Sequence, residues 1–541
     1  MKLLILIPKL AKKEFLYILI LSIFVFLSSK ALFHDGFFRT IDDITTVRIN
    51  YLEKELTRNN WVNNFPVRIS AELSNNFGYP LYLFYAPLTY YVGASLKIFL
   101  SLSDIVATKY VYVFPLIFGP FALYFAARQK VQPPWALIAA IAYTLFPYRG
   151  SNTYVRGAAP EAWAISLIPL AMAGIFLIQK NRRFGGLIFA VGYSLILITH
   201  ILVGLQFTAL VLLFGSIFLL KNKRFWQSAA LGIGAAAFYL LPMIYYLKII
   251  KVTYVDVNTT YLLQTLEPIN NLLKVPVGEF VWRVSGVFFY LLVGGLTYLL
   301  YKKRRGEKHL KETLFWGITG LVLYLLLFDS FKFIWEITLP LTGILQFAWR
   351  ILALEAFIIP LFLGLWLAHI KNTYFRAVLV VIIVAAALNF LPSFKPEAYS
   401  YFYEYKPEGP CATTSWQDEY LPLWVKGCPQ PRNPLELRPE GKINLLGNNP
   451  LDISAEVETK NNSDLIVNKY YFPGWHLSVD GKKAALDYTF STDGIFKTTL
   501  APGKHNVEVV YKKTPIMWIA DLISAGSFAL LFYFLLRRHR K

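Results

Sequence analysis

The chain has 541 residues, of which 56% are hydrophobic, 17% aromatic and only 16% charged. That composition excludes a soluble globular protein, and the length exceeds one domain. Lys and Arg outnumber Asp and Glu by 54 to 33, but they fall in short clusters between apolar runs, the pattern of cytoplasmic span ends, with no nucleic-acid-binding motif.

The first apolar run, at 14–33, is long enough to cross a bilayer and too long for a signal-peptide core, so it reads as a retained span. Further runs at 106–127, 134–148, 160–178, 184–199, 201–220, 226–248, 281–301, 312–329, 346–370, 375–393 and 515–536 bring the total to about twelve spans. The basic clusters are Lys9/Lys12/Lys13, Arg128/Lys130, Lys180/Arg182/Arg183, Lys221/Lys223/Arg224, Lys302 to Lys311, Lys371/Arg376 and Arg537 to Lys541. With all of them inside, both termini are inside too. A full span at Pro80–Leu100 would reverse every later cluster. That segment, with Pro80, Pro87 and its tyrosines, is therefore expected to be juxtamembrane or re-entrant on the outer face.

The same parity places Asp42 and Asp43, then Arg156 and Glu161, then His200, then Gln346 and Arg350 on the outer side, although none of them set the topology. From about 395 to 514 the chain turns polar and then alternates. Asp480-Gly481 and Pro502-Gly503 punctuate strand-like runs, which predicts a β-sandwich outside the membrane, anchored by the last span. The expected organisation is a multi-span domain at 1–394, the outer β-domain at 395–514, and a final span with a basic tail at 515–541. Cys411 and Cys428, the only cysteines, both fall in the outer segment. A disulfide between them would contribute about 3 kcal/mol by loop closure, and two reduced thiols are the alternative.

Asp42 and Asp43 suit a general base towards a sugar hydroxyl, and equally the start of the helical pattern ITTVRINYLEKEL, where acids are favoured. Arg48 lies inside the apolar stripe of Ile44, Val47, Tyr51 and Leu52, where it either forks a lipid phosphate or snorkels to the interface. Arg156 and Glu161 form a structural salt bridge or bind a ligand. His200 is a packing residue or a site residue. Arg350 binds lipid phosphate or anchors its helix among headgroups. No Walker sequence, dinucleotide fingerprint or zinc-ligand spacing is present, and no inside loop is large enough for a nucleotide-binding domain.

TIDDITTVRI, NFPVRI and FGYPLYLFYAPLTYY, followed in order by YVRGAAPEAWA, LITHI, LQFAWRIL, EYLPLWV, YYFPGWHLSVDG and LAPGKHNVEVVY, resemble the YfhO-like bacterial membrane proteins. Their relatives include proteins labelled "6-pyruvoyl-tetrahydropterin synthase-related", a label that carries no pterin activity. That family is similar to the GT-C glycosyltransferases, which take a sugar from a polyprenyl-phosphate carrier and use an acid of the first outer loop as base. The resemblance implies this role for Asp43, with Asp42 standing where many relatives have histidine. It also matches Arg68 and Tyr79 to the family's PVRW and GYGYP segments. Ile69 replaces the usual tryptophan, and Ala348 replaces the proline of an LQFPWR pattern.

The expectation is a polytopic, GT-C-like helical protein of a bacterial cytoplasmic membrane. It would transfer a polyprenyl-phosphate-linked sugar, with inversion, to an envelope glycan or glycolipid. Arg48, Arg156 or Arg350 would hold the departing phosphate, and the need for a divalent cation is open. A lipid or glycan transporter (a flippase, for example) and a non-catalytic envelope-assembly protein are the alternatives.

Overall fold

A computed structural model describes residues 12–38, 40, 44–58, 61–252, 261–271, 286–307, 310–401, 406–407, 410–415 and 418–536. Asp42, Asp43, Lys9, the basic tail 537–541 and residues 281–285 at the start of an expected span lie outside them. Helices occupy the apolar runs. Seven in the described residues are long and apolar enough to cross a membrane, or eight if Lys223–Ala235 and Ala237–Ile249, bent by 66°, form one span. Other expected spans are shorter helices. Pro133–Thr144, Gly185–Leu197 and Lys311–Leu325 have 12, 13 and 15 residues. At 1.5 Å per residue they reach roughly 18–23 Å, against a hydrocarbon core of about 30 Å. Proline sets one of these limits. Pro147 follows Phe146, and a residue before proline is pushed out of helical geometry, so the chain turns there and restarts as Pro147–Ser151. The segment from Pro80 forms two pieces, Leu81–Phe84 and Leu88–Leu100, broken at Pro87.

Ala159–Gln179 and Leu352–His369 are enclosed by other helices, whereas Lys12–Ser29, Thr373–Leu388 and Pro515–Leu536 are mostly exposed. Small residues bring the inner helices together. A Cβ on Gly174 would stand 2.2 Å from the backbone nitrogen of Phe189, so Gly185–Leu197 packs there only because the side chain is missing. Polar contacts mark one end of the bundle. Arg128 donates to Glu14 (2.6 Å), Lys130 to Glu312 (2.8 Å) and Gln179 (2.6 Å), and Arg224 to the carbonyl of Arg182 (2.8 Å). Glu161 lies at the other end of the helix that finishes at Gln179.

At that other end the polar segments meet. β1 (Phe37–Phe38) pairs antiparallel with β2 (Tyr399–Ser400), tying the first loop to the segment after Thr373–Leu388. The β-rich region follows, with β3 (Leu435–Arg438), β4 (Lys442–Asn449), β5 (Asp452–Thr459), β6 (Ser463–Val467), β7 (Trp475–Val479), β8 (Lys482–Lys483), β9 (Phe496–Leu500) and β10 (Gly503–Tyr511). These form two antiparallel sheets, ordered β4-β5-β10-β7-β8 and β3-β6-β9. Alternate residues of both, such as Val457, Leu477 and Val509 from one and Leu437, Leu465 and Phe496 from the other, share one buried cluster with Leu83 and Phe84. The sheets therefore rest on the broken segment after Pro80 rather than hanging free.

Candidate functional site

Arg156 and Glu161 come together through a reversal of the chain. Helix Pro147–Ser151 runs into a π-turn at Asn152–Arg156 and ends at Gly157, with φ 72°. A Cβ on Gly157 would lie 2.1 Å from the Thr40 hydroxyl, so both the left-handed turn and the close approach require glycine. The next helix, Ala159–Gln179, has Pro160 as its second residue and carries Glu161 in its first turn, where the helix dipole favours a carboxylate. Glu161 is fully buried. Its Oε2 accepts from Arg156 Nη1 at 2.5 Å, and its Oε1 accepts from the Tyr148 hydroxyl. His200 caps the helix Ile201–Phe218. Its Nδ1 accepts from the Val203 N–H at 3.2 Å, which leaves the proton on Nε2, 3.8 Å from Glu161 Oε2. Burial pulls the His200 pKa down to about 4, against the pull of Glu161 and with the help of Arg350 and Arg156, so the ring is neutral.

Arg350 completes this cluster from another part of the chain. It sits in the short turn Ala348–Ile351, ahead of Leu352–His369, and donates from Nη1 to the Leu345 carbonyl (3.0 Å) and to Gln346 Oε1 (2.5 Å). Its buried Nε has no partner among the described residues. Gln346 holds φ at 67°, a left-handed conformation that costs a non-glycine residue about 1–3 kcal/mol. The strained residue is thus the one that orients Arg350. Trp349, next in the turn, stacks under Arg156, with the guanidinium 4.8 Å from its ring.

Arg48 is 1% exposed, and its guanidinium is taken up by the protein. Nε and Nη2 donate to the hydroxyl (3.0 Å) and carbonyl (2.5 Å) of Thr414, Nη1 donates to Tyr90 OH (3.0 Å), and Tyr85 stacks on it at 3.8 Å. Arg48 therefore clamps the segment around Thr414 to the first-loop helix Thr45–Thr57. Tyr79 has a similar task, its hydroxyl donating to the Glu419 carbonyl (2.5 Å) and standing 3.2 Å from Ser415 Oγ. Arg68 is not brought to the cluster. It bonds Asp521 of the last helix at 2.5 Å and the Phe238 carbonyl at 3.3 Å. Cys411 and Cys428 are joined by a disulfide. Asp418 lies beside them within 4.8 Å, but sulfurs bonded to each other present no thiolate to a metal.

The sequence reasoning missed Glu419, Tyr148 and Tyr85. Glu419 is 7% exposed, and its carboxylate has no hydrogen-bond partner among the described residues. Burial raises its pKa to about 7, while Arg48 and Arg350 pull it back. The available signal was EYLPLWV, a motif that contains Glu419. Tyr85 lies within FGYPLYLFYAPLTYY, whereas Tyr148 carried no sequence signal beyond being aromatic. Among the described residues the region thus gathers three buried arginines against one paired carboxylate and one further carboxyl, with a neutral histidine. A buried surplus of guanidinium with an unused N–H suits an anion such as phosphate.

A family model described as "6-pyruvoyl-tetrahydropterin synthase related domain; membrane protein" matches residues 82–396, more than half of the chain. Among curated proteins none matches by sequence. The chain is similar in structure to arabinofuranosyltransferase AftD from Mycobacteria, at 16% identity and a TM-score of 0.45, over 70% of this chain and 27% of that one. It is also similar to the Archaeoglobus fulgidus oligosaccharyltransferase, at 14% identity and 0.41, over 71% and 56%. A third similar structure is ArnT from Cupriavidus metallidurans bound to undecaprenyl phosphate, at 12% identity and 0.40, over 70% and 75%. The chain thus spans about a quarter of the length of AftD.

Proposed function

This chain belongs to the 6-pyruvoyl-tetrahydropterin synthase related domain family of membrane proteins, and we propose that it is a membrane glycosyltransferase. It moves a sugar from a polyprenyl-phosphate carrier to an envelope glycan or glycolipid at the outer face of a bacterial cytoplasmic membrane. Asp43, with Asp42 as its neighbour, takes the proton of the acceptor hydroxyl. The acceptor oxygen forms a bond to the anomeric carbon from the far side and inverts it. The bond from that carbon to the carrier oxygen breaks, and its electron pair leaves with the lipid phosphate. Arg350 and Arg156 receive the negative charge, with Glu161 and Trp349 fixing Arg156 in place.

The observation that carries this reading is the group of buried arginines around Glu161, with the Arg350 Nε unused among the described residues. The choice of Asp43 is supported by the chain on either side of it. Thr40 packs on Gly157, and the Thr45 hydroxyl lies 3.1 Å from Tyr112 OH, which itself donates to the Gly157 carbonyl beside Arg156. The test is transfer from a radiolabelled polyprenyl-phosphate sugar in membranes carrying the protein. Asp43→Asn is expected to abolish it and Arg350→Ala to lower it steeply. Normal transfer by Asp42→Asn and Asp43→Asn, singly and together, removes both acids from the role of base.

One observation favours a transporter instead. Glu355, in Leu352–His369, is fully buried with both carboxylate oxygens unpartnered among the described residues, and a buried ionisable group in a membrane helix commonly marks a transport path. Substrate movement in proteoliposomes without covalent change, lost in Glu355→Gln, would establish that reading.

A further inference from the structure

A second polar site lies away from the arginine cluster, where the first-loop helix meets the β-rich region. It is a cleft of about 610 Å³, lined by Thr57 and Arg58 at the end of Thr45–Thr57, by Glu72 and Asn76 in the loop that follows, and by Arg432, Asn449, Asn468 and Lys469 from the outer segment. The volume falls in the range of small-ligand sites, roughly 300–1,000 Å³. The lining is polar, with only Pro434, Pro450 and Ile453 as larger apolar groups.

Several of these groups are held ready rather than merely exposed. Asn468 is 3% exposed; its Nδ2 donates to the Asn433 carbonyl at 2.7 Å, which orients the amide, and its buried Oδ1 has no partner among the described residues. Lys469, also 3% exposed, is steered by the carbonyls of Asn76 (2.6 Å) and Ala71 (3.4 Å) and has a third N–H to offer. Arg58 spends Nη2 on Glu72, while its buried Nη1 makes no hydrogen bond among the described residues and lies 3.9 Å from Glu55 Oε1. Arg432 reaches Asp493 at 3.2 Å and is about one third exposed. Arg58, Arg432 and Lys469 thus line the cleft with Glu72, while Glu55 lies 3.9 Å from Arg58 Nη1 and Asp493 pairs Arg432 from behind the lining.

We propose that this cleft binds an oligosaccharide bearing an anionic group. Sugar hydroxyls satisfy the Asn468 oxygen and the neighbouring amides, and a carboxylate or phosphate on the sugar meets Arg432, Arg58 and Lys469. An apolar ligand would take water from this polar lining and return no hydrogen bonds, whereas an anionic sugar adds a further acceptor beside the partly exposed Arg432. The proposal rests on the glycosyltransferase reading in taking this ligand to be the acceptor. One helix links the two sites. It carries Arg48 near its start and Thr57 at its end, nine residues or about 14 Å apart along the axis. An extended glycan seated in the cleft therefore has its free end within a short reach of the arginine cluster.

The test is binding of tetragalacturonate, of a phosphorylated tetrasaccharide and of neutral maltotetraose to the full-length protein in detergent, by calorimetry without any donor. Tetragalacturonate or the phosphorylated sugar is expected to bind at least tenfold more tightly than maltotetraose, and which of the two is tighter identifies the anion. Arg432→Ala, at a partly exposed position that the fold tolerates, is expected to weaken that binding about tenfold. Asn468→Leu, checked for an unchanged unfolding temperature, is expected to weaken all three sugars. Equal binding of acidic and neutral sugars, no binding at all, or an Arg432→Ala variant that binds as the parent does would overturn the proposal. Donor is absent throughout, so a negative result leaves the transfer reaction standing. A protein that binds the sugar but transfers nothing loses the enzymatic reading and keeps the cleft.

Discussion

Glu161 and Glu355 are a matched pair handled in opposite ways. Each is fully buried, and each lies in the first turn of an enclosed helix, so the helix dipole and the loss of water are alike for both. Glu161 has Arg156, Tyr148 and His200 around it. Glu355 has no hydrogen-bond partner among the described residues; its Oε2 lies 3.7 Å from where a Cβ on Gly320 would stand, on the helix that also carries Tyr324. Since position in the helix is the same, the difference lies in the partners. The first carboxylate is the hub of a polar site, and the second is a polar group inside apolar packing.

The largest expected effect comes from removing the hub. Glu161→Ala removes the carboxylate that bonds both Arg156 and Tyr148, and breaking a buried ion pair by removing one partner costs about 3–5 kcal/mol. Unfolding in detergent should report a loss of that size, whereas Glu355→Ala should lose only what an apolar cavity costs. Equal losses at the two positions would break the comparison.

Arg350→Lys comes next. It keeps the charge but removes the fork and the unpartnered Nε. Transfer is expected to fall by about 10²–10³, the range for losing one donor to a developing negative charge. The unfolding temperature should change little. A variant that transfers normally would mean that charge alone serves the site.

Glu355→Leu gives a smaller effect of opposite sign. An unpartnered buried polar group costs about 1–3 kcal/mol, and an apolar side chain of similar size removes that cost. The variant is expected to be as stable as the parent or more so, with transfer unchanged. A loss of function without a loss of stability would move Glu355 from packing to mechanism and favour transport.

The sequence made these two residues unequally visible. Apolar run lengths and basic clusters set which loops share a side, and that logic alone brought Arg156, Glu161, His200, Gln346 and Arg350 onto one face, where the fold joins them. Hydropathy does not see where Pro147 or the His200 cap bounds a helix, so among the described residues several of the apolar runs form shorter helices than the runs themselves. Glu355 was passed over as part of an apolar run. Arg68 was matched to the site by motif, yet its partner, Asp521, lies 453 residues further on, a pairing that no local pattern announces. Glu419 lay in a recognised motif, EYLPLWV, but its place in the site was hidden for a related reason. Its segment returns to the membrane face through the bonds between Arg48 and Thr414, which are tertiary contacts.

Glu419 stands between the two extremes of the comparison and supplies its finest test. It faces cations, as Glu161 does, but lacks hydrogen-bond partners, as Glu355 does. Burial raises its carboxyl from 4.5 to about 7 despite Arg48 and Arg350. Burial likewise raises Glu55, in the first-loop helix, to about 7. A carboxyl whose pKa is higher in the folded state makes that state hold more protons than the unfolded chain between about pH 4.5 and 7. Its stabilising contribution is complete below pH 4.5, declines as pH rises to 7, and is absent above. Glu419→Gln should therefore raise the unfolding temperature at pH 8 relative to the parent, leave it nearly unchanged at pH 4.5, and flatten the decline between them, with Glu55 supplying the slope that is left. If the variant and the parent fall by the same amount between these two pH values, Glu419 is answered by its arginines as fully as Glu161 is.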